Sequence, residues 1–442
     1  MDQSQTLPIR GHVRNKSSTG RPSRPRSSTK GPLDVDDDPL ASPLSPQQAK
    51  HLVPSRPLSQ RGSPRVSVDR PRPSPRSPAP HRATSPAILP PKDFSYLLRP
   101  EIYHPLTPVT IPPPFRNSSK QPPPDSPIDE LLARGHFRAA AIAAVQALTG
   151  TGGQPAPAPT DYARIFDLLY VRLSCLTLID STQIAAQEVR ALEDVNSAIY
   201  MDEISGTHLV PWDLRVLIVR LQALGFGDPR RAIMSFYDLA REARTEIATA
   251  MSNHDNSASE VWKDRLVDLG IKVAGAMIEM DDLAGAAHHL TGLRSRADGK
   301  LNMSKALLWL HLGNSDAARL CVRDGESGDR IISALCGMAD GEYETALSKW
   351  QELRADLDGD EMVAVNLAVC LLYTGRMEEG RDILESLVDS GFTSRTLLFN
   401  LATIFELCTD RSRSLKTKLV ERVATMEPST TGWERANADF KL

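Results

Sequence analysis

Aromatic side chains are missing from the first 93 residues, and after Glu130 proline becomes rare, since 28 of the 34 prolines fall in residues 1–130. The first absence leaves the amino-terminal segment without a stacking platform for nucleic acid. The second removes the commonest helix breaker from the rest of the chain. Cysteine is also sparse. Cys175, Cys321, Cys336, Cys370 and Cys408 form no C-x-x-C pair and no dense framework, which excludes a disulfide scaffold and predicts a reducing compartment. No apolar run reaches the roughly 20 residues that a spanning helix needs; the longest, from Met362 to Tyr373, is interrupted by Asn366. The opening Met1-Asp2-Gln3-Ser4-Gln5 does not have the basic-then-apolar layout of a signal peptide, and the closing Asp439-Phe440-Lys441-Leu442 is no prenylation box. The expectation is a cytoplasmic chain whose membrane contact is peripheral and indirect.

What is present divides near residue 125. Residues 1–125 hold 19 Lys+Arg against 9 Asp+Glu, so the near-neutral net charge of −3 hides a basic arm on an acidic body. Ser, Pro and Arg dominate the arm, and large apolar groups are too few to offset about 1–2 kcal/mol of backbone entropy per ordered residue. A long disordered N-terminal arm is therefore expected over 1–125, with a folded body over 126–442. Ser42, Ser45, Ser63, Ser74, Ser77, Ser85, Thr107 and Ser126 each precede a proline and are candidate phosphorylation sites. Each phosphate would add about −1.5 to −2 charges, although Ser-Pro pairs also arise from composition alone. The acidic island Asp34, Asp36, Asp37 and Asp38 reads as solvated. One stretch breaks the polar pattern: Phe94, Tyr96, Leu97, Leu98, Ile102 and Tyr103. Apolar groups concentrated in such an arm mark a docking segment, ordered on a partner or on the body; the alternative is a locally sticky spacer.

The body shows apolar positions spaced at three and four, which predicts helices throughout. A short turn containing Gly or Asp recurs, followed by an apolar residue and then a small one. Its clearest copies, Gly341-Glu342-Tyr343-Glu344-Thr345-Ala346 and Gly375-Arg376-Met377-Glu378-Glu379-Gly380, lie 34 residues apart. Asn366-Leu367-Ala368 returns as Asn400-Leu401-Ala402 at the same distance. That period is the tetratricopeptide (TPR) length. Weaker copies occur at Gly135–Ala140, Gly227–Ala232, Asp281–Ala286 and Gly313–Ala318, and Ile179–Ala185 hides another. The spacing reads as regular from Asp281 onward and stretched before it, where loops such as Thr151–Thr160 intrude. Ala334, Ala346, Ala368, Gly380 and Ala402 are the small residues expected at helix crossings, Gly375 the turn glycine, and Tyr343, Trp350 and Phe405 the gap fillers. The predicted fold is all-α, a TPR-like α-solenoid of antiparallel helix pairs.

No catalytic or cofactor constellation is present: no H-E-x-x-H, G-x-S-x-G or Walker A loop. Gly150-Thr151-Gly152-Gly153 continues into Gln-Pro and is a flexible connection. His288 and His289 are adjacent and point to different sides of a helix, so they do not chelate together. Neither an enzyme nor a cofactor, metal or small-molecule substrate is expected. The positions of a TPR clamp for C-terminal carboxylates would be Ile331, Leu335, Val365 and Val369, all apolar, and Asn366 and Asn400 read as satisfying backbone between repeats. What remains is a protein-binding array. A free-standing TPR adaptor regulated through its arm fits that description, and a nucleic-acid binder using the basic arm fits it less well.

Ala364-Val365-Asn366-Leu367-Ala368-Val369-Cys370-Leu371-Leu372-Tyr373-Thr374-Gly375, then Leu397–Leu407 and Arg411-Ser412-Arg413-Ser414, resemble the subunit 12 family of the transport protein particle (TRAPP) complex. The resemblance extends more loosely through Leu131–Ala140 and the Val210-Pro211-Trp212-Asp213-Leu214-Arg215 segment, and residues 240–335 diverge. It implies a variable arm and a TPR body. It also implies a non-catalytic scaffold subunit of TRAPP III, the vesicle tether and Rab-GTPase exchange factor of ER-to-Golgi transport and autophagy. Its partners would be other TRAPP subunits, and its location Golgi and ER–Golgi intermediate membranes.

Overall fold

The computed structural model describes residues 92–293, 300–322 and 327–442. The arm up to residue 91, including Ser42, Ser45, Ser63, Ser74, Ser77 and Ser85, lies outside the described residues. Seven turns organise the rest. At Gly135, Asp180, Gly227, Asp281, Gly313, Gly341 and Gly375 the backbone enters the left-handed region, with φ between 59° and 80°. Each of these residues donates its N–H to the carbonyl three residues back, and the next residue donates to the carbonyl five back. That pairing closes one helix and turns the chain to run beside it. Glycine adopts such a φ without steric cost, and aspartate is among the few other residues that tolerate it.

A second helix starts two residues after every one of these turns. After a four-residue α1 (Pro113–Arg116), the pairs are α2 (Ile128–Ala133) with α3 (Phe137–Thr149), α4 (Tyr162–Leu178) with α5 (Thr182–Glu188), and α6 (Trp212–Phe226) with α7 (Pro229–Ser252). They continue as α8 (Asn256–Glu279) with α9 (Leu283–Gly292), α10 (Lys300–His311) with α11 (Ser315–Arg319), and α12 (Ser327–Ala339) with α13 (Tyr343–Asp356). The last two are α14 (Glu361–Tyr373) with α15 (Met377–Asp389) and α16 (Arg395–Cys408) with α17 (Ser412–Ala424). Among the described residues these 17 α-helices are accompanied by no β-strand, only an isolated bridge between Met201 and His208.

Five positions after each left-handed turn stands a buried small residue: Ala140, Ala185, Ala232, Ala286, Ala318, Ala346 and Gly380. The size limit is steric. A Cβ on Gly380 would sit 3.0 Å from the Ala368 carbonyl oxygen, and one on Gly337 would sit 3.3 Å from the Ala346 Cβ. Ala334, Ala368 and Ala402 are buried as well, Ala334 in one core with Trp350 and Ala368 in another with Phe405. Trp350 places its Nε1 3.2 Å from the Met338 sulfur, and Tyr343 stacks on Tyr373 with ring centres 4.1 Å apart.

The spacing differs from the sequence reading. From Asp281 the turns are 32, 28 and 34 residues apart, because α11 has only five residues, so the full 34-residue period belongs to one step. The long step from Gly227 to Asp281 comes from α7 and α8, each 24 residues long, and not from a loop.

The array closes on itself. The Trp433 N–H donates to the Gly135 carbonyl at 3.2 Å, and the Trp433 ring stands edge-on to His136. A Cβ on Gly135 would lie 2.1 Å from the Ser429 carbonyl oxygen, so this glycine serves both the turn and the seam. Arg395 at the start of α16 pairs with Asp180 at 2.9 Å. Behind the seam the terminal segment is held on α16 and α17, where Lys416 and Lys441 both bind Glu406.

Candidate functional site

Residues 92–116 are too rich in proline for a long helix and form three 3-10 turns and the four-residue α1, so side chains must fix them. They do so at two places. At the first, Phe94 is fully buried, edge-on to Phe166 at 5.1 Å and over Tyr200 at 5.9 Å, and its N–H donates to the Pro159 carbonyl. Leu97 and Tyr103 are buried in the same cluster, with Tyr96, Leu98 and Ile102 packed half-buried on its edge. The Tyr103 hydroxyl donates to the Leu97 carbonyl at 2.7 Å, and burial pushes its pKa far above the usual phenol value. Tyr96 and Tyr200 share a hydrogen bond between their hydroxyls. At the second place Ile111 and Phe115 enter the core of α16 and α17, with Phe115 edge-on to Trp433 at 5.3 Å.

This segment is a strap joining the two ends of the array. The boundary expected at residue 126 therefore lies too late, since the chain joins its body at Phe94. The apolar cluster expected to order on a partner or on the body packs on the body. Its buried members fill clefts between helices, where about 1.5–3 kcal/mol is gained per large apolar side chain removed from water.

Between the two anchors the strap meets a buried ion pair. The Arg172 Nε donates to the Glu188 Oε2 at 3.0 Å and an Arg172 Nη donates to Oε1 at 2.6 Å, with Arg172 1% exposed and Glu188 3%. Arg172 also donates to the carbonyls of Ala141 and His104, and the His104 N–H donates to the Glu188 carboxylate at 2.9 Å. These bonds tie α3, α4, α5 and the strap together. Desolvated charges are tolerated only when paired and hydrogen-bonded in this way. Sequence reasoning missed the pair, because nothing local relates two charged residues on different helices.

At the seam Arg138 donates from Nε to the Glu434 carboxylate at 3.0 Å and from a terminal nitrogen to the Thr107 carbonyl at 3.2 Å. Burial raises the Glu434 pKa, and Arg138 opposes that rise. The Ser118 hydroxyl donates to the Ala424 carbonyl at 2.9 Å, and Lys120 pairs with Glu427. Next to Arg138 a small cavity of about 110 Å³ is lined by His136, Trp433 and Glu434. His136 Nε2 and Trp433 Nε1 are buried there without a hydrogen-bond partner. Burial lowers the His136 pKa, with the Arg134 charge acting in the same direction. Of the phosphoacceptor candidates, Thr107 is exposed and Ser126 half-buried, at opposite ends of the seam-crossing stretch.

Several grooves open on the array. One, about 530 Å³, lies among α13, α14 and α15 and is lined by Arg354, Leu367, Arg376 and Ile383 among others. Another, about 450 Å³, lies among α4, α6, α7 and α8 and is lined by Tyr170, Trp212, Leu217, Phe236, Asp268 and Lys272 among others. A smaller one, about 220 Å³, runs between α14 and α16 past Val365, Asn366, Val369 and Asn400. Asn366 donates its amide to the Met362 carbonyl of its own helix, not to a neighbouring repeat as its recurrence suggested. Among the described residues no group of three or more His, Cys, Asp or Glu side chains could hold a metal ion, and no helix is long and apolar enough to cross a membrane. Burial pushes the thiols of Cys175 and Cys370 up to about 11.

The resemblance seen in the sequence extends to curated proteins. The chain is 22% identical over 348 residues to Trafficking protein particle complex subunit 12 of Mus musculus, covering 68% of this chain and 43% of that protein. It is likewise 22% identical over 345 residues to the subunit of the same name from Homo sapiens, covering 68% of this chain and 46% of that protein. The chain thus spans less than half the length of these relatives. No family model matches it. Among solved structures, a tetratricopeptide repeat protein from Parabacteroides merdae aligns over 57% of this chain and 91% of its own, at 14% identity and a TM-score of 0.34.

Proposed function

We propose that this chain is a non-catalytic scaffold subunit of a TRAPP III-type vesicle-tethering and Rab-GTPase exchange complex, acting in ER-to-Golgi transport and autophagy. The observation that carries the reading is the similarity to subunit 12 over 348 residues. It runs well beyond the quoted motifs. The physical character of the body agrees with it. A closed array of helix pairs offers an extended contact surface, and its recognised features are packing devices: small residues at crossings, left-handed turns and a buried ion pair. In this reading its partners are other TRAPP subunits, and it reaches Golgi and ER–Golgi intermediate membranes peripherally, through them, from the cytoplasm.

The test is affinity purification of the tagged chain from its native cells, followed by mass spectrometry. TRAPP subunits should be recovered in near-stoichiometric amounts, and Rab exchange activity should copurify with them. Recovery of a reproducible set of other proteins without TRAPP subunits would replace this reading with a free-standing adaptor.

A further inference from the structure

Among the described residues Thr107 and Ser126 are the only serine or threonine that precede a proline, and they flank the stretch of chain that crosses the seam. Their settings differ. The Ser126 N–H is tied into a turn with the Pro123 carbonyl at 3.2 Å, and its side chain is half-buried. Thr107 is exposed on extended backbone, φ −82° and ψ 140°, and Val109 just beyond it is 74% exposed. An enzyme that modifies Ser/Thr-Pro needs an accessible hydroxyl on extended chain, and Thr107 presents one with only the single 3-10 turn over Pro108–Thr110 to unwind.

What Thr107 touches matters as much. Its carbonyl already accepts from Arg138, the same guanidinium that neutralises the part-buried Glu434 across the seam. We propose that Thr107 is a phosphorylation site for a proline-directed kinase, and that its phosphate opens the seam by drawing Arg138 away from Glu434. In the transfer step the Thr107 Oγ1 attacks the γ-phosphorus of ATP. The Oγ1–P bond forms as the bond to the β–γ bridging oxygen breaks, ADP departs, and the hydroxyl proton passes to the kinase's base.

The new group carries about −1.5 to −2 charges and three strong acceptors, on the residue whose carbonyl the guanidinium already holds. Glu434 offers a single charge, and its burial already disfavours the carboxylate. Once Arg138 turns to the phosphate, Glu434 is left desolvated beside a dianion, where like charges repel strongly. The cheapest relief is for Glu434 to move out into water. Because Trp433 is its chain neighbour, the Trp433–Gly135 bond and the edge-on contact with His136 go with it. The Phe94 anchor lies in a separate core and is left in place, whereas Phe115, edge-on to Trp433 in the same core, loses that contact as the seam opens.

The full chain, treated with a purified proline-directed kinase and magnesium ATP, tests this directly. Modified sites are read by mass spectrometry and backbone exchange over residues 427–442 by deuterium uptake. The arm carries other Ser-Pro sites, so Thr107→Ala, treated identically, isolates the contribution of Thr107. The expected result is modification of Thr107 on the native chain and exchange in 427–442 faster by about tenfold, an effect absent in Thr107→Ala. Arg138→Gln should exchange quickly there before treatment and gain little after it. An unmodified Thr107 on a chain whose arm sites are phosphorylated would overturn the proposal. So would a modified Thr107 with unchanged or slowed exchange over 427–442.

Discussion

Replacing Arg172 with alanine lowers the unfolding free energy by about 3–5 kcal/mol, the range for breaking one side of a buried ion pair. The loss comes mainly from what remains behind. Glu188 stays buried with a carboxylate that keeps the His104 N–H but loses both guanidinium bonds. The carbonyls of Ala141 and His104 lose donors as well. Replacing both members with apolar residues, as in Arg172→Met with Glu188→Leu, should recover the part due to the stranded carboxylate, while the His104 N–H and the two carbonyls stay without these partners. Urea unfolding of the parent, the single variant and the double variant separates the two contributions. A single variant within about 1 kcal/mol of the parent would mean that the pair is solvated in solution and does not lock α3, α4, α5 and the strap.

Phe94→Ala is expected to cost a similar amount, about 3–5 kcal/mol, through loss of a buried aromatic and the cavity it leaves. Phe94 is fully buried against Phe166 and Tyr200, so its removal opens the cluster where the strap begins. Val109→Ala on the same strap should stay within about 0.5 kcal/mol, because that side chain is largely in water. The contrast separates a strap anchored at particular points from one that merely lies on the surface. Equal melting of both variants and the parent would contradict the anchoring.

The helix pairs were legible in the sequence because a helical hairpin is a local event. A left-handed residue followed five positions later by a small one leaves its mark within six residues, as at Gly341–Ala346 and Gly375–Gly380. Asp180 carries the same conformation in a turn that sequence reading left half-hidden, since aspartate is a weaker signal for positive φ than glycine. The strap was visible only as a cluster from Phe94 to Tyr103. Its second anchor, Ile111 and Phe115, sits among prolines, where composition argues for a spacer; the argument fails because the structure needs just two inserted side chains there, and proline does not prevent them. The seam left no sequence signal at all. Gly135 and Trp433 are nearly 300 residues apart, and no periodicity relates the first helix pair of an array to the segment that follows the last. The Arg172–Glu188 pair was hidden for the same reason on a smaller scale.

The claim on which the rest depends is that strap and array form one cooperative body, beginning at Phe94 and closed at the seam. The direct measurement is urea unfolding, followed by far-ultraviolet circular dichroism, of two chains: residues 92–442 and residues 126–442. The longer chain should unfold in one cooperative transition. The shorter one lacks Phe94, Leu97, Tyr103, Ile111 and Phe115, so its two terminal cores are exposed; it should be less stable by at least about 3 kcal/mol, or unfold in more than one step. Superimposable transitions for the two chains would contradict the account and return the boundary of the folded body to residue 126.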